Sequence, residues 1–270
     1  MKEKRVLTVS SEVMPYRPEN QVSLMSYESA RLLHSKGGQT RVFMPRYGLV
    51  NERRHQLHEV IRLSGANLII DDIDTPLIIK VASIPKERMQ VYFIDNEEYF
   101  KRKAMFHDEE GNLFEDNDER LIFFTKGVIT TVKKLNWAPD IIHLHGWISS
   151  LIPMYLKHYY KDDALFRDSK IVVSLYDDAF QGHLSDKLSA KIAFDELPEK
   201  DINDLKSTTF IDLQKKAVEY ADRVIFASDN LSDEIVEYVK KLGNLAMETP
   251  GMENFEETYL EFYRKELHMD

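Results

Sequence analysis

The sequence predicts an α/β fold built on a doubly wound, Rossmann-like parallel sheet. Short apolar runs without polar alternation recur along the chain, as in strands that are covered on both faces. Between several of these runs lie longer segments whose apolar residues repeat at about the helical spacing of 3.6 residues. A strand followed by a helix and a second strand is the βαβ unit from which parallel sheets are built.

The first βαβ unit opens the chain. Residues 5–10 form a short apolar run flanked by charge, which predicts the first strand. The following loop contains two prolines, which disfavour a helix there. A helix is predicted over residues 21–35 because apolar residues recur along it and Gly37 follows it, a common helix C-terminal signal. Residues 40–45 form the second predicted strand.

The rest of the chain continues the alternation, and we expect one domain over residues 1–270 with a small β-hairpin insertion. Residues 106–117 are rich in Asp and Glu and are predicted to form a solvated acidic loop. Further strands are predicted at residues 67–70, 76–83, 90–94, 141–144, 170–175 and 223–228. Helices are predicted at residues 118–135, 151–160, 207–221, 231–242 and 253–267.

Composition narrows the class of protein. Hydrophobic residues are 43% of the chain, charged residues are 30%, and the formal net charge is −10. This acidic balance argues against nucleic acid or an anionic membrane as a partner. The chain has no cysteine, so disulfides and thiolate metal sites are excluded. No run reaches transmembrane length and the N-terminus lacks a signal-peptide core, so we expect a cytoplasmic protein.

The predicted strand at residues 141–144 leads into a candidate site, in the stretch Pro-Asp-Ile-Ile-His-Leu-His-Gly-Trp. Ligands of open α/β sheets bind outside the carboxyl ends of the strands, where His145, Gly146 and Trp147 would stand. His143 and His145 are two residues apart and therefore point the same way. Such a pair could bind zinc. We expect instead no metal, with one histidine buried and hydrogen-bonded and the other facing the cleft.

A second polar segment follows the next predicted strand. It begins Tyr176-Asp177-Asp178 and continues to Gln181. Tyr176, Asp177 and Gln181 are predicted to form a polar pocket with His145, and Trp147 would be either its sugar platform or a core anchor. Such a pocket would suit a neutral sugar and not a diphosphate, because it holds a carboxylate and no Lys or Arg.

These motifs resemble those of the glycogen/starch synthase family. The family's His-x-His-Asp-Trp-His motif is matched at His143, His145 and Trp147. Gly146 stands where the family has Asp, and Ile148 stands where it has a histidine that contacts the donor sugar. Residues 176–182 resemble the family's His-Asn-x-Ala-Tyr-Gln-Gly segment, with its His-Asn pair replaced.

The loop after the first strand also resembles the family. Its Ser-Glu-x-x-Pro pattern is matched at residues 11–15, but the family's Lys-Thr-Gly-Gly is replaced by Pro-Glu-Asn-Gln at residues 18–21. The resemblance implies that the lost segment approaches the nucleotide-sugar phosphates. Arg17 is the candidate to replace the lost lysine, or it is an exposed loop arginine.

The resemblance implies the N-terminal half of a GT-B glycosyltransferase fold. The implied parent activity is transfer of glucose from ADP-glucose to an α-1,4-glucan, without a cofactor. Because part of the motif chemistry is missing, we expect a chain that is catalytically impaired alone and carries no catalytic residue. Two alternatives stay open. One is a non-catalytic carbohydrate-binding or regulatory module for a glucan or small sugar, and the other is a subunit whose cleft is completed by a separate C-terminal-domain chain.

Overall fold

A computed structural model describes residues 4–18, 20–248, 253–266 and 268 of the chain. The strands are β1 (Arg5–Ser10), β2 (Gln39–Pro45), β3 (His58–Glu59), β4 (Ala66–Ile70), β5 (Ile73–Ile84), β6 (Met89–Asp95), β7 (Ile141–His145), β8 (Lys170–Leu175), β9 (Arg223–Phe226) and β10 (Leu245–Glu248). The helices are α1 (Gln21–Ser35), α2 (Glu52–His55), α3 (Glu97–Phe100), α4 (Asn117–Lys134), α5 (Ile152–Lys157), α6 (Leu188–Ala193), α7 (Glu199–Asp204), α8 (Phe210–Glu219), α9 (Asp233–Leu242) and α10 (Phe255–Glu266).

The strands form a mixed sheet in the order β10-β9-β8-β7-β1-β2-β6-β5-β3, with β4 paired to β5. From β10 to β6 all neighbours are parallel, whereas β5 is antiparallel to β6, β3 and β4. The chain moves outward from β1 through β2 on one side and from β7 through β8 on the other. The order therefore reverses between β1 and β7, which is a topological switch point, and the doubly wound sheet is confirmed.

Helices cover both faces of the sheet, and the residues of β7 alternate between them. Ile142 and Leu144 face the larger apolar core, to which α4, α5 and α8 contribute. Ile141 faces a second core made with α1 and α10. Since side chains alternate along a strand, His143 and His145 lie on the same side as Ile141.

The predicted strands and long helices are present, with differences of a few residues at their ends. The predicted hairpin is present as the antiparallel pair β5–β6, and it extends the main sheet because β6 also pairs in parallel with β2. The helix predicted at residues 151–160 is shorter: a 3₁₀ turn at Trp147–Ser149 precedes α5. Leu267, at the end of the last predicted helix, lies outside the described residues.

Six elements were not predicted: the helices α2, α3, α6 and α7 and the strands β3 and β10. The four helices have four to six residues each, too few for the helical period to stand out, and β3 has two residues. The strand β10 is half-exposed at the sheet edge and contains no β-branched residue. In the described part of the chain, no helix combines the length and apolar character needed to cross a membrane.

Candidate functional site

The site is built where β1 and β7 end side by side. The Ser11 backbone N–H donates to the His145 carbonyl oxygen at 3.0 Å, so the two loops leave the sheet in contact. Gly146 then adopts a φ of +76°, and a Cβ on it would lie 2.2 Å from Ser11 Oγ. This backbone therefore requires glycine. The aspartate that the related motif carries here has no room on this backbone.

The two histidines are sealed inside the protein. His143 shares hydrogen bonds with the Tyr263 hydroxyl at 2.6 Å and the Ser174 hydroxyl at 2.8 Å. His145 shares one with the Tyr176 hydroxyl at 2.7 Å. Both rings are fully buried. The sequence predicted that His145 would face the cleft, and it does not. The reason is the alternation along β7, which turns both rings toward the face that α1 and α10 cover.

Burial also decides the charge of these rings. It lowers the pKa of His143 to about 3. It lowers the pKa of His145 well below its usual range, and the neighbouring His143 adds to this effect. Both rings are therefore neutral near pH 7. The Nε2 atom of His145 has no hydrogen-bond partner among the described residues.

The potential metal ligands that the structure brings together lie elsewhere. Within the described ranges, the one group of three or more clustered His or carboxylate ligands is Asp201, Asp204 and Glu219. The Lys216 ammonium group lies 2.8, 2.8 and 2.9 Å from their oxygen atoms. This cluster is therefore an ion-pair network that fastens α7 to α8.

Trp147 is placed as a core anchor. Its side chain is 4% exposed, and its ring packs against Phe106 at a centroid distance of 4.4 Å and Phe180 at 5.1 Å. The cavity beside it has a volume of about 20 Å³, which is room for one water molecule. In this conformation the ring offers no face to a sugar.

An open cleft lies next to this core, between the loop after β8 and the N-termini of α8 and α9. Its volume is about 330 Å³, and Asp177 and Gln181 line it with exposed side chains. Tyr176 is buried at its base, where the Gln214 side-chain amide donates to its carbonyl oxygen at 3.1 Å. Other polar residues of the lining are Thr209, Asn230 and Ser232. Of the predicted pocket, Tyr176, Asp177 and Gln181 come together here, whereas His145 and Trp147 do not.

A larger cleft of about 600 Å³, lined in part by His183 and Leu184 where this loop continues, was not predicted. It runs between residues 113–119 and residues 183–191. Lys191 crosses beneath it and pairs with Asp118 and Glu119 at 2.7 Å each. Within the predicted acidic loop, Asp116 pairs with Arg102, so this segment is partly integrated into the fold and not simply solvated. No local pattern in the sequence could join Lys191 to carboxylates more than 70 residues away.

Several charged and polar side chains of the loop after β1 pair with one another. Arg17 pairs with Glu12 at 3.5 Å, and Glu12 also accepts from the Asn20 side chain at 2.9 Å. Asn20 caps α1 by accepting from the Ser23 backbone N–H at 2.8 Å. The Gln21 side chain donates to the Ala227 carbonyl oxygen at 2.5 Å. Glu19 lies outside the described residues.

Sequence reasoning missed Asp178, which is half-buried at the switch point. Its Oδ2 accepts from the Trp147 backbone N–H at 3.3 Å. Burial raises the pKa of this carboxyl to about 7, the Trp147 hydrogen bond opposes the rise, and the charges of Glu12 and Asp177 add to it. The signal in the sequence was a third polar residue in a row at a strand end.

A parallel sheet with this switch point, and with polar loops along its carboxyl edge, is the architecture of one half of a GT-B glycosyltransferase. The catalytic domain of starch synthase IV from Arabidopsis thaliana, bound to ADP and acarbose, superposes with a TM-score of 0.72 at 16% identity. The match covers 94% of this chain and 52% of that one. At this identity the likeness shows the fold alone.

Sequence comparison then gives the family. The profile of the starch synthase catalytic domain matches residues 5–248, and the chain belongs to this family. Glycogen synthase of Chlorobium luteolum is 36% identical over 234 residues, which are 86% of this chain and 47% of that protein. Glycogen synthase of Chlorobaculum tepidum is 32% identical over 234 residues with the same coverage. The chain thus spans about half the length of the relatives that it matches, and the predicted N-terminal half is confirmed.

Proposed function

We propose that this chain is the glucan-binding half of a glycogen/starch-synthase-type glycosyltransferase and transfers no glucose from ADP-glucose by itself. The observation that carries the proposal is the loop after β1. Its cation, Arg17, is neutralised by Glu12, and the N-terminus of α1 is capped by the chain's own Asn20. One domain over residues 1–270 and a location in the cytoplasm belong to the same proposal.

The charge at the switch point disfavours a nucleotide diphosphate. A departing diphosphate needs fixed positive charge and free N–H donors to stabilise it. Here Glu12, Asp177 and Asp178 surround the strand ends, and Arg17 is already paired. The residues that would carry positive charge in the family's loop are replaced. The opposite wall of the cleft would therefore have to supply most of the charge that the reaction needs.

The open cleft after β8 suits a neutral sugar. Asp177 accepts hydrogen bonds, and Gln181 and Asn230 each offer an acceptor and two donors, which match sugar hydroxyl groups. A few such bonds at about 1 kcal/mol each imply a Kd on the order of millimolar. Weak binding of this kind fits a polymeric ligand, because several contacts along one glucan chain add up.

We further propose that a separate polypeptide resembling the C-terminal half of the family supplies the opposite wall. The support is that the related glycogen synthases are about twice as long as the region they share with this chain. A non-catalytic carbohydrate-binding or regulatory module is the second candidate. The loop after β1 favours it, because Arg17 pairs with Glu12 and Asn20 caps the N-terminus of α1, which leaves neither group free for the phosphates of a donor nucleotide.

Calorimetry on the full chain tests the proposal. Maltohexaose is expected to bind with a Kd of about a millimolar, and ADP-glucose is expected to give no heat. Asp177→Asn and Gln181→Ala should weaken maltohexaose binding. Asp168→Asn is the matched control, because Asp168 is exposed and precedes β8 at the opposite edge of the sheet. Micromolar binding of ADP-glucose that is lost in Arg17→Ala would overturn the proposal.

A transfer assay separates the two candidates. The chain would be mixed with the C-terminal half of the Chlorobium luteolum glycogen synthase, ADP-glucose and maltohexaose. Glucose transfer by the mixture, with none by either half, supports a subunit that shares its cleft. Maltohexaose binding without any transfer in the mixture supports the binding module.

A further inference from the structure

Asp178 approaches the switch point from the neighbouring strand. Its Oδ2 lies 3.4 Å from the position that a Cβ on Gly146 would occupy. The same oxygen accepts from the Trp147 backbone N–H at 3.3 Å. The carboxylate therefore stands where a side chain on residue 146 would otherwise project, and it ties the end of β8 to the end of β7.

The residues on either side of Asp178 face the other way. Asp177 and Ala179 line the 330 Å³ cleft, while Asp178 lines the small cavity beside Trp147. Phe180, in the same loop, packs on the Trp147 ring. The loop that forms one wall of the cleft is thus held by two inward contacts, one polar and one aromatic.

We infer that Asp178 is a positioning residue for the proposed sugar cleft. It anchors residues 177–182 to the β7 end through the Trp147 N–H, so that Asp177 and Gln181 hold their place in the cleft. This inference rests on the proposed function only for the identity of the ligand. The anchor itself rests on the contacts of Asp178.

The anchor depends on the charge of Asp178. An ionised carboxylate accepts a hydrogen bond about twice as strongly as a neutral acceptor, so protonation loosens the contact with Trp147. The charged groups that act on Asp178 are Glu12, from the loop after β1 and paired with Arg17, and Asp177 beside it. From β7, His145 lies on the opposite face and is neutral. From α8, Phe210 and Gln214 are uncharged.

The first test needs no sugar. The chain has two tryptophans, so selective ¹⁵N-tryptophan labelling gives two backbone amide signals. The Trp147 amide shift is expected to titrate with a midpoint near pH 7, in accordance with the pKa of Asp178, and the Trp137 amide serves as the internal control. In Asp178→Asn the Trp147 signal should stay flat. A Trp147 amide shift that is the same in the native chain and in Asp178→Asn at every pH between 5.5 and 8.5 would overturn the anchor.

The second test couples the anchor to the cleft. Maltohexaose affinity of the native chain is expected to rise about fivefold from pH 5.5 to 8.5, the order expected when a charged acceptor replaces a neutral one. Asp178→Asn should bind without this pH dependence, and Asp178→Glu, which keeps the charge, should restore part of it. If maltohexaose affinity depends on pH equally in the native chain and in Asp178→Asn, Asp178 only binds the Trp147 N–H and does not position the cleft, and the inference is overturned.

A ligand-free measurement keeps the two proposals apart. The Ala179 and Gly182 amides lie on the anchored loop and are expected to titrate together with Trp147. If they do so while no oligosaccharide binds at any pH, the anchor stands and the proposed glucan function fails. If they stay flat while Trp147 titrates, the loop is not positioned by Asp178 and the inference fails.

Discussion

The two faces of the sheet differ sharply at the carboxyl ends of β7 and β8. On the face covered by α1 and α10, His143 and His145 are fully buried and bonded to tyrosine hydroxyls. On the other side of the same strand ends, the loop carrying Asp177 and Gln181 is exposed beside an open cleft. Polar residues of similar chemistry thus end in opposite environments within two adjacent strands.

This difference shows that a retained motif residue need not be a ligand-contacting residue. His143 and His145 match the family motif, yet each is buried and hydrogen-bonded to a side chain of this protein. One of those partners, Tyr263, lies on α10, outside the region that the family profile matches. Of the accessible residues beside the cleft, Asp177 stands where the sequence departs from the family and Gln181 stands where it matches.

Trp147→Ala should have the largest effect on stability, and it tests whether Trp147 is a core residue. We expect a loss of about 3–5 kcal/mol in the free energy of unfolding, because a large buried aromatic side chain is removed. Urea denaturation measures it. Phe194→Ala is the control, since Phe194 is 57% exposed and its loss should cost little. A stable Trp147→Ala protein that has lost sugar binding would instead restore Trp147 as a platform.

Tyr263→Phe should lower stability by a smaller amount, and it tests the buried face of the sheet that carries His143 and His145. Removing the hydroxyl leaves a buried His143 nitrogen without its partner, which costs about 1–3 kcal/mol of unfolding free energy. Tyr159→Phe makes the same chemical change on an exposed ring and should be neutral. Equal stability of the two variants would mean that the His143 contact is dispensable and that this face is less closed than its burial indicates.

Asp178→Asn should change how stability depends on pH. The folded-state pKa of Asp178 is raised to about 7, so its protonated form is favoured on folding and stability is lost as the pH rises toward 7. Relative to the variant, the native chain should lose on the order of 1 kcal/mol between pH 4 and pH 8, after allowance for partial solvent screening. Parallel stability profiles from thermal unfolding would contradict the raised pKa.

Glu266→Gln should have the smallest effect and the opposite pH sign. Burial disfavours the charge of Glu266, but hydrogen bonds from Arg223 and Lys170 outweigh it and lower the pKa. The native chain should therefore lose stability relative to the variant's profile as the pH falls below about 4.5. The difference at pH 7 is expected to be below about 1 kcal/mol, because Arg223 and Lys170 stay partly solvated. A loss that grows with rising pH would contradict this assignment.

Much of the fold could be predicted because its signals are local. The apolar runs of β1, β7 and β8 and the helical period of α4 are each contained in a single segment, and Gly146 marked the end of β7 correctly. Asp177 and Gln181 were placed at the edge of a cleft for the same reason, since both follow a strand end. The short helices α6 and α7 were missed because six residues hold less than two helical turns.

By itself, the sequence determined which segments form the main parallel strands and long helices, that they build a doubly wound sheet, and membership of the family. The order of the strands in the sheet, and with it the switch point between β1 and β7, came from the structure. Only the tertiary structure decided which face each polar residue meets. His145 and Tyr176, like Trp147 and Asp178, are 31 residues apart and are joined by strand register and loop closure. Local periodicity carries no information on such pairs, because α10 and the loops that bury or expose them come from distant parts of the chain.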